Sequence, residues 1–540
     1  MPTLTPNDVE PALVEPDDSH LIRVGNEAAL ATDVYLPARS GVRSSFPSLL
    51  LRTPYGRRGE IDRVDQLARY FREVGIALVV QDVRGRYDSE GALAPFSHEV
   101  GDALATLDWI SEQPWSSGAV LPIGDSYAGF TAWAAAASGH RAIAGAVVRV
   151  TTPEIGPHWM YRQGVFRLQM NAQWAAFAWG GREAIDVQPD WSTRPLSAID
   201  FGGADMSALG QWLGAGADER AWRQLVGDVA TRWTAVRVPV LHWGGWWDLM
   251  ARGQIEAWER LVAAGAPGQR LLMGATDHSF NGFPPLVPAP LSVERQLDEV
   301  AAFVTHALDG GPAHALPARW ELTHDGWHES GSWPPPDARL ERLFLADPAS
   351  AVFGPEGGAL SLRPESVSGT VTWPHDPTSL VPSLETFVWG TLANGYPDER
   401  DAQVRDDVVT FSGVCVEAPL DVVGGVKLHL RIQASHRPSQ IAATLSDVRP
   451  DGTAWRIAEG ASVTEAGDPV GLRIDLGPLA YRVQPGHRLR VALAASCFPR
   501  YLWASRDPMG AWNGDPGEEH ELSLRIGRDS YLDLPSCRFS

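Results

Sequence analysis

Three residues far apart in the chain are of the types that together activate a hydroxyl: Ser126, Asp248 and His278. A serine hydroxyl is a weak nucleophile until an adjacent base takes its proton, and that base must be oriented by a third group. Ser126 lies in Gly124-Asp-Ser-Tyr-Ala-Gly129, behind the apolar run Ala119–Ile123 and ahead of the small and aromatic residues Phe130 to Ser138. A strand, a sharp Gly-flanked turn and a helix form a nucleophile elbow, which holds a serine in a strained turn with its hydroxyl above a sheet. Small residues are needed on both sides, since a Cβ there would strike the adjacent strand or helix. The usual G-x-S-x-G pattern is met with Ala128 in its last place and Gly129 following. The alternative reading, an ordinary Gly-rich turn, leaves the downstream partners unexplained.

Those partners fall just past two further strand-like runs. Val236–Trp243 leads into Gly244-Gly-Trp-Trp-Asp248, and Arg270–Met273 leads into Gly274-Ala-Thr-Asp-His278. The chain order Ser, acid, His, each on a loop after a strand, is that of an α/β-hydrolase. The competitors fit less well. His242 lies within a strand, His98 and His324 follow no suitable strand, His306 falls inside a helix, and Asp277 is next to the ring it would have to orient. Negative charge developing on the substrate carbonyl also needs donors. One is the backbone N–H of Tyr127, which follows the nucleophile. The other belongs on the loop Thr53–Gly59, where no HGGG-type stretch occurs and Tyr55 offers a phenol.

The elements that must position these residues follow from hydrophobic period. Leu21–Tyr35 alternates about a turn at Asn26-Glu27 and predicts a hairpin, while Phe46–Arg52, Ile76–Gln81 and Ala142–Val150 predict buried strands. Ile61–Val74, Glu99–Gln113, Gly253–Ala264 and Val293–Leu308 predict helices. Alternating strands and helices, with the strands read as continuous apolar runs, indicate a mostly parallel sheet. Residues 1–150 and 230–312 are therefore expected to form the catalytic α/β domain. Residues 151–229 carry no convincing strand and an aromatic stripe, and are expected to form a helical cap. Its Trp159, Phe166 and Trp174, with Trp246, Trp247 and Phe280 of the acid and histidine loops, are candidate substrate-binding residues, although helix core is the commoner use of such a stripe. Residues 313–540 turn to short alternating segments, among them Trp320–Thr323, and predict an all-β jelly roll.

At 540 residues the chain exceeds a single core, so two or three domains are expected. No apolar run approaches a membrane span, and Met1 to Pro11 has neither basic nor apolar signal regions, so a cytoplasmic protein is expected. A formal charge of −21, with Lys427 the single lysine, disfavours nucleic acid or an anionic membrane as partner. Cys415, Cys497 and Cys537 make no zinc pattern or disulfide framework and are expected to be buried thiols.

At this point the sequence resembles a known family of serine hydrolases, typified by bacterial cocaine esterase, the α-amino-acid ester hydrolases and the X-Pro dipeptidyl-peptidases. Arg52-Thr-Pro-Tyr-Gly56 is similar to its oxyanion-tyrosine loop, Gln81-Asp-Val-Arg-Gly85 with Ser89-Glu-Gly91 to its second loop motif, and Gly124-Asp-Ser-Tyr-Ala-Gly129 to its elbow. Gly245-Trp-Trp-Asp248 resembles its acid motif, while Asp447-Val-Arg-Pro-Asp-Gly452, Gly486-His-Arg488 and Phe498-Pro-Arg500 resemble motifs of its jelly roll. The departure is Gly-Ala-Thr-Asp-His278 where the family often has G-P-W-x-H. The resemblance implies a helical cap, a C-terminal jelly roll, and hydrolysis of an ester or amide through an acyl-enzyme, with no metal or organic cofactor. It implies a small ester or acyl substrate, no nucleic-acid or membrane partner, and homo-oligomers in some relatives. Transfer of the acyl group to an alcohol or amine, an aminopeptidase activity and a non-enzymatic jelly-roll binding module are the alternatives. Asp82, Arg84, Asp88 and Glu90 are expected to tie their own loop together through arginine–carboxylate pairs, with binding of a substrate amine as the alternative.

Overall fold

A computed structural model describes residues 14–37, 45–180, 187–227, 229–282, 292–310, 317–352, 354–365, 369–384, 387–388, 391–392, 397–436, 438–465 and 467–537. Its first sheet has ten strands, in the order Asp18–Val24, Ala28–Tyr35, Ala77–Asp82, Phe46–Thr53, Ser116–Asp125, Ala146–Arg149, Val240–Gly245, Gln269–Gly274, Ala318–Leu322 and Gly326–Ser330. The pairs from Ala77–Asp82 through to Ala318–Leu322 are parallel, and the hairpins at both edges are antiparallel. Leu49, Leu78, Val79, Val120, Leu121, Val147, Leu241 and Leu272 are all buried, as expected of strands covered on both faces. Helices Val64–Glu73, Glu99–Glu112, Ala251–Ala263 and Val293–Asp309, each within a few residues of the span predicted from period, and Ser126–Ala137 after the elbow connect or cover the strands.

All twelve residues of the helix Ser126–Ala137 are buried. Its alanines let it pass between the sheet and the segment above, where bulkier side chains would clash. That segment, inserted between Ala146–Arg149 and Val240–Gly245, contains the helices Leu168–Gly180, Ser207–Ala215 and Glu219–Val226. It also holds a small hairpin absent from the sequence reading, in which Tyr161 pairs with Phe166 and Arg162 with Val165. Two-residue strands are too short to generate a detectable period.

The C-terminal region forms an eleven-stranded sheet system, nearly all antiparallel, around Leu428, Ile432, Ile474, Val491, Leu524 and Leu532. Two sequence expectations are corrected here. The strand foreseen at Trp320–Thr323 pairs in parallel with Gln269–Gly274 and so extends the first sheet rather than the β-rich region. Its local pattern could not reveal which edge would accept it. Cys415 is exposed, whereas Cys497 and Cys537 are buried, because Cys415 lies just beyond the strand Val408–Ser412 and not within one.

Candidate active site

The strand Ser116–Asp125 runs directly into the helix beginning at Ser126, and the chain makes that junction with Ser126 at φ 56°. A non-glycine residue in the left-handed region costs on the order of 1–3 kcal/mol and persists only where its surroundings enforce it. Here Thr151 Oγ1 donates to the carbonyl of Ser126 at 2.8 Å. Gly124 is required: a Cβ there would lie 2.3 Å from the carbonyl carbon of Ala128.

Asp248 and His278 arrive on two loops locked to each other. The N–H of Trp246 donates to the Gly274 carbonyl at 3.0 Å and that of Trp247 to the Thr276 carbonyl at 3.1 Å. Gly245 permits this approach, since a Cβ would stand 2.2 Å from the Thr276 oxygen. The histidine loop is organised by Asp277. Its Oδ1 accepts from the N–H groups of Ser279 and Asn281, each at 2.8 Å, and Oδ2 accepts from the Asn281 side chain at 3.2 Å. Sequence reasoning set Asp277 aside as an orienting acid and missed this positioning part. The signal was present as an Asp followed closely by Ser279, Asn281 and Gly282, residues of turn type.

The three side chains meet. His278 Nε2 stands 3.0 Å from Ser126 Oγ, and His278 Nδ1 stands 2.8 Å from Asp248 Oδ1. The Asp248 side chain is fully buried, and that of His278 is nearly so. Burial opposes charging of the imidazole, but the Asp248 carboxylate outweighs it, so the pKa of His278 lies above the usual histidine value. By contrast, buried His242 is pushed down to about 4 and bonds to Gln269.

The two tyrosines differ in what their phenols do. Tyr55 is buried, with its N–H bonded to Thr53 Oγ1 at 3.0 Å and its ring stacked on Phe177. Its hydroxyl accepts from the indole of Trp174 at 3.3 Å and lies within hydrogen-bonding reach of the Ser126 side chain. Burial raises its pKa, so it keeps the proton a donor needs. The phenol of Tyr127 points elsewhere, donating to Glu99 Oε1 at 2.7 Å and accepting from the N–H of Phe96 at 2.9 Å. Its backbone N–H is in the first turn of a helix, where no intrahelical acceptor exists and the dipole favours negative charge.

The aromatic candidates separate. Trp174 touches Tyr55 and stacks on Tyr127 and Trp212. Trp159 is fully buried, edge-on to Trp174 and Phe96. Phe166 packs on Tyr161 in the small hairpin. Trp246 stacks on Trp333 and donates to the Glu321 carbonyl, away from Ser126. Phe280 packs on Trp243 and under the Arg149 guanidinium. Trp247 donates to Ile457 of the β region and lines a cavity beside Asp248.

One trio among the described residues, Glu154, His158 and Glu256, has spacing suited to a metal ion. Each carboxylate already accepts from an arginine, Glu256 from Arg252 at 2.6 Å and Glu154 from Arg260 at 3.0 Å. Burial opposes charging of His158, but these carboxylates more than offset it and raise its pKa. The trio fits an ion-pair network better than a cation site.

This strand order and these loops have known counterparts. Residues 26–280 match the family model described as X-Pro dipeptidyl-peptidase (S15 family), and residues 314–532 match that of the X-Pro dipeptidyl-peptidase C-terminal non-catalytic domain. The chain belongs to this family of serine hydrolases. The family's two-part build accounts for the α/β sheet followed by an all-β domain. Cocaine esterase of Rhodococcus sp. (strain MB1 Bresler) is 27% identical over 547 residues, covering 88% of this chain and 92% of that protein. An α-amino acid ester hydrolase shares the fold with a TM-score of 0.78 at 22% identity, over 99% of this chain and 100% of that one. An aminopeptidase from a marine sediment archaeon, Thaumarchaeota archaeon, does so with a TM-score of 0.79 at 19% identity, over 99% of both chains.

Proposed function

We propose that this chain hydrolyses a carboxylic ester through an acyl-enzyme. The observation that carries the reading is the continuous contact from Ser126 Oγ to His278 Nε2 and from His278 Nδ1 to Asp248 Oδ1, at 3.0 and 2.8 Å. Ser126 Oγ attacks the ester carbonyl as its proton passes to Nε2 of His278, and Asp248 holds the tautomer and offsets the charge that forms. The Tyr55 phenol and the Tyr127 N–H donate to the oxyanion. The tetrahedral state collapses with loss of the alcohol, which takes the proton from His278. Water then attacks the acyl-serine with His278 again as base, releasing the acid and restoring the hydroxyl.

The similarity to cocaine esterase favours an ester over a peptide, and so does the charge around the site. An aminopeptidase needs an unpaired carboxylate for the substrate amine. In the loops flanking Tyr55, Asp82 and Asp88 both bind Arg57, each at 2.6 Å, and Arg84 binds Asp102 and Glu27. The pairs are arginine–carboxylate as expected from sequence, but they tie the loop to Arg57, Glu27 and Asp102 outside it rather than to itself, and Glu90 accepts from the Ala29 N–H. Residues 151–229 act as a cap in this reading, with Trp174 as the wall nearest the reacting carbonyl.

A fluorophosphonate probe tests the mechanism. The expected result is stoichiometric labelling at Ser126, blocked by prior turnover-dependent inhibition and absent in Ser126→Ala. Labelling at another serine, or none in folded protein, rejects the assignment. No helix among the described residues is long and apolar enough to cross a membrane.

A further inference from the structure

Behind the loop that carries Asp248 lies a cavity of about 90 Å³, walled by the cap, by the first sheet and by the β domain. Its lining is unusual in charge. Five arginines face it, Arg162, Arg167, Arg252, Arg456 and Arg500, against two carboxylates, Asp248 and Glu459. Three of the five have acidic partners. Arg252 binds Glu256 and Asp475, Arg456 lies against Glu399 and Glu459, and Arg500 Nε donates to Glu459 at 2.7 Å.

The two arginines from the cap are different. Arg162 reaches only backbone carbonyls, donating through one terminal nitrogen to Glu459 at 3.1 Å and Asp475 at 2.8 Å. Arg167 donates to the Leu249 carbonyl at 2.8 Å. Among the described residues neither has a carboxylate partner, and the Nε of each is buried without an acceptor. They are 9% and 8% exposed, so water outside does not solvate them. Burial pushes the pKa of Arg167 down to about 10, and neighbouring Arg162 and Arg500 act in the same direction against Tyr501 and Glu459. A buried charge left short of acceptors is costly, and a guanidinium fork is shaped to take two oxygens of one group. The cavity is several times larger than the roughly 10–15 Å³ that a single water needs.

We propose that this cavity binds one small oxyanion of the carboxylate or phosphate class, held by Arg162 and Arg167 from the cap and by Arg456 and Arg500 from the β domain. The bound anion supplies the missing acceptors and ties the cap, the loop carrying Asp248 and the β domain together at one point. Because Arg167 also holds the carbonyl of Leu249, next to Asp248, occupancy bears on how firmly the acid loop is held.

The test is titration calorimetry and thermal melting of the full chain with sodium phosphate and with sodium acetate, each against sodium chloride at equal ionic strength. The expected result is a saturable heat and a concentration-dependent rise in Tm with at least one oxyanion and not with chloride. Arg167→Met should weaken that affinity at least tenfold. If it fails to fold, Arg162→Gln serves the same purpose, since its guanidinium makes only carbonyl contacts. No saturable response beyond chloride overturns the proposal, and so does unchanged affinity in the folded variants. Steady-state kinetics with an uncharged aryl ester then separate two sources of the anion. Competitive inhibition by the anion marks the cavity as the seat for an acidic end of the substrate or product, and an unchanged KM marks an independent ligand. Either result leaves the site standing.

Discussion

Asp248 meets Nδ1 of His278 at 2.8 Å at the edge of the α/β sheet, and Asp447 meets Nδ1 of His487 at 3.0 Å inside the β domain. Both aspartates are buried, and both histidine side chains are mostly so. At their far ends the pairs diverge. His278 presents Nε2 to a serine hydroxyl held at positive φ, whereas Nε2 of His487 has no hydrogen-bond partner among the described residues. Asp447 instead takes a second donor, the Tyr481 hydroxyl at 2.7 Å, which links Ser439–Val448 to Val470–Val483, two strands that do not pair with each other. An oriented imidazole is thus available twice. What distinguishes the first, and makes it the proposed site of chemistry, is the elbow that brings the Ser126 hydroxyl to it, with the Tyr55 phenol in reach of that hydroxyl.

The two pairs should differ most in what the hydroxyl contributes. Ser126→Ala should lower kcat by about 10⁴ or more while the far-ultraviolet dichroism and Tm stay close to the parent. Comparable turnover by that variant would remove the distinction between the two pairs. Next in size is Asp248→Asn, which keeps the shape but presents the wrong hydrogen-bond pattern and should cost about 10⁴ in kcat.

The same pair sets the pH profile. In the proposed reaction His278 must be neutral to act as base, so activity should fall as pH drops through a pKa that Asp248 holds above the ordinary histidine value. In Asp248→Asn that raising influence is gone while the burial remains, and the residual activity should keep its acid limb to lower pH. A limb that does not move between parent and variant would mean that another group titrates.

Tyr55→Phe comes third. Loss of one oxyanion donor should reduce kcat by about 10²–10³ with little change in KM. Pre-steady-state measurement must show that chemistry limits the rate. A loss confined to a few-fold would assign the second donor elsewhere. The smallest effect on activity is expected from His487→Ala. It leaves buried Asp447 with one donor fewer, at a cost of about 1–3 kcal/mol read from denaturant unfolding, while kcat stays within a few-fold of the parent. A large fall in kcat without loss of stability would show that the second pair also serves the reaction.

The order of Ser126, Asp248 and His278, the strands that precede them and the small residues of the elbow were all legible in the chain. Each is a local requirement: a buried parallel strand needs a continuous apolar run, and a tight turn beside a helix needs glycine or alanine. The span of the helix Glu99–Glu112 and the edge hairpin about Asn26-Glu27 were legible for the same reason. Partners are a different matter, because periodicity reports that a side chain is buried and not what it meets. Trp174 and Trp246 look alike in sequence, yet one reaches Tyr55 and the other stacks on Trp333 on the far side of the acid loop. Ala318–Leu322 was a strand in either reading, but only the free edge of Gln269–Gly274 decided which sheet it joined. The separate duties of the Tyr55 and Tyr127 phenols, and the meeting of Arg162 and Arg167 with Arg456 and Arg500, are set by long-range packing. Those contacts join separate segments, in the case of Arg162 with the β domain some hundreds of residues apart, and their energies depend on shared burial that no single stretch of chain encodes.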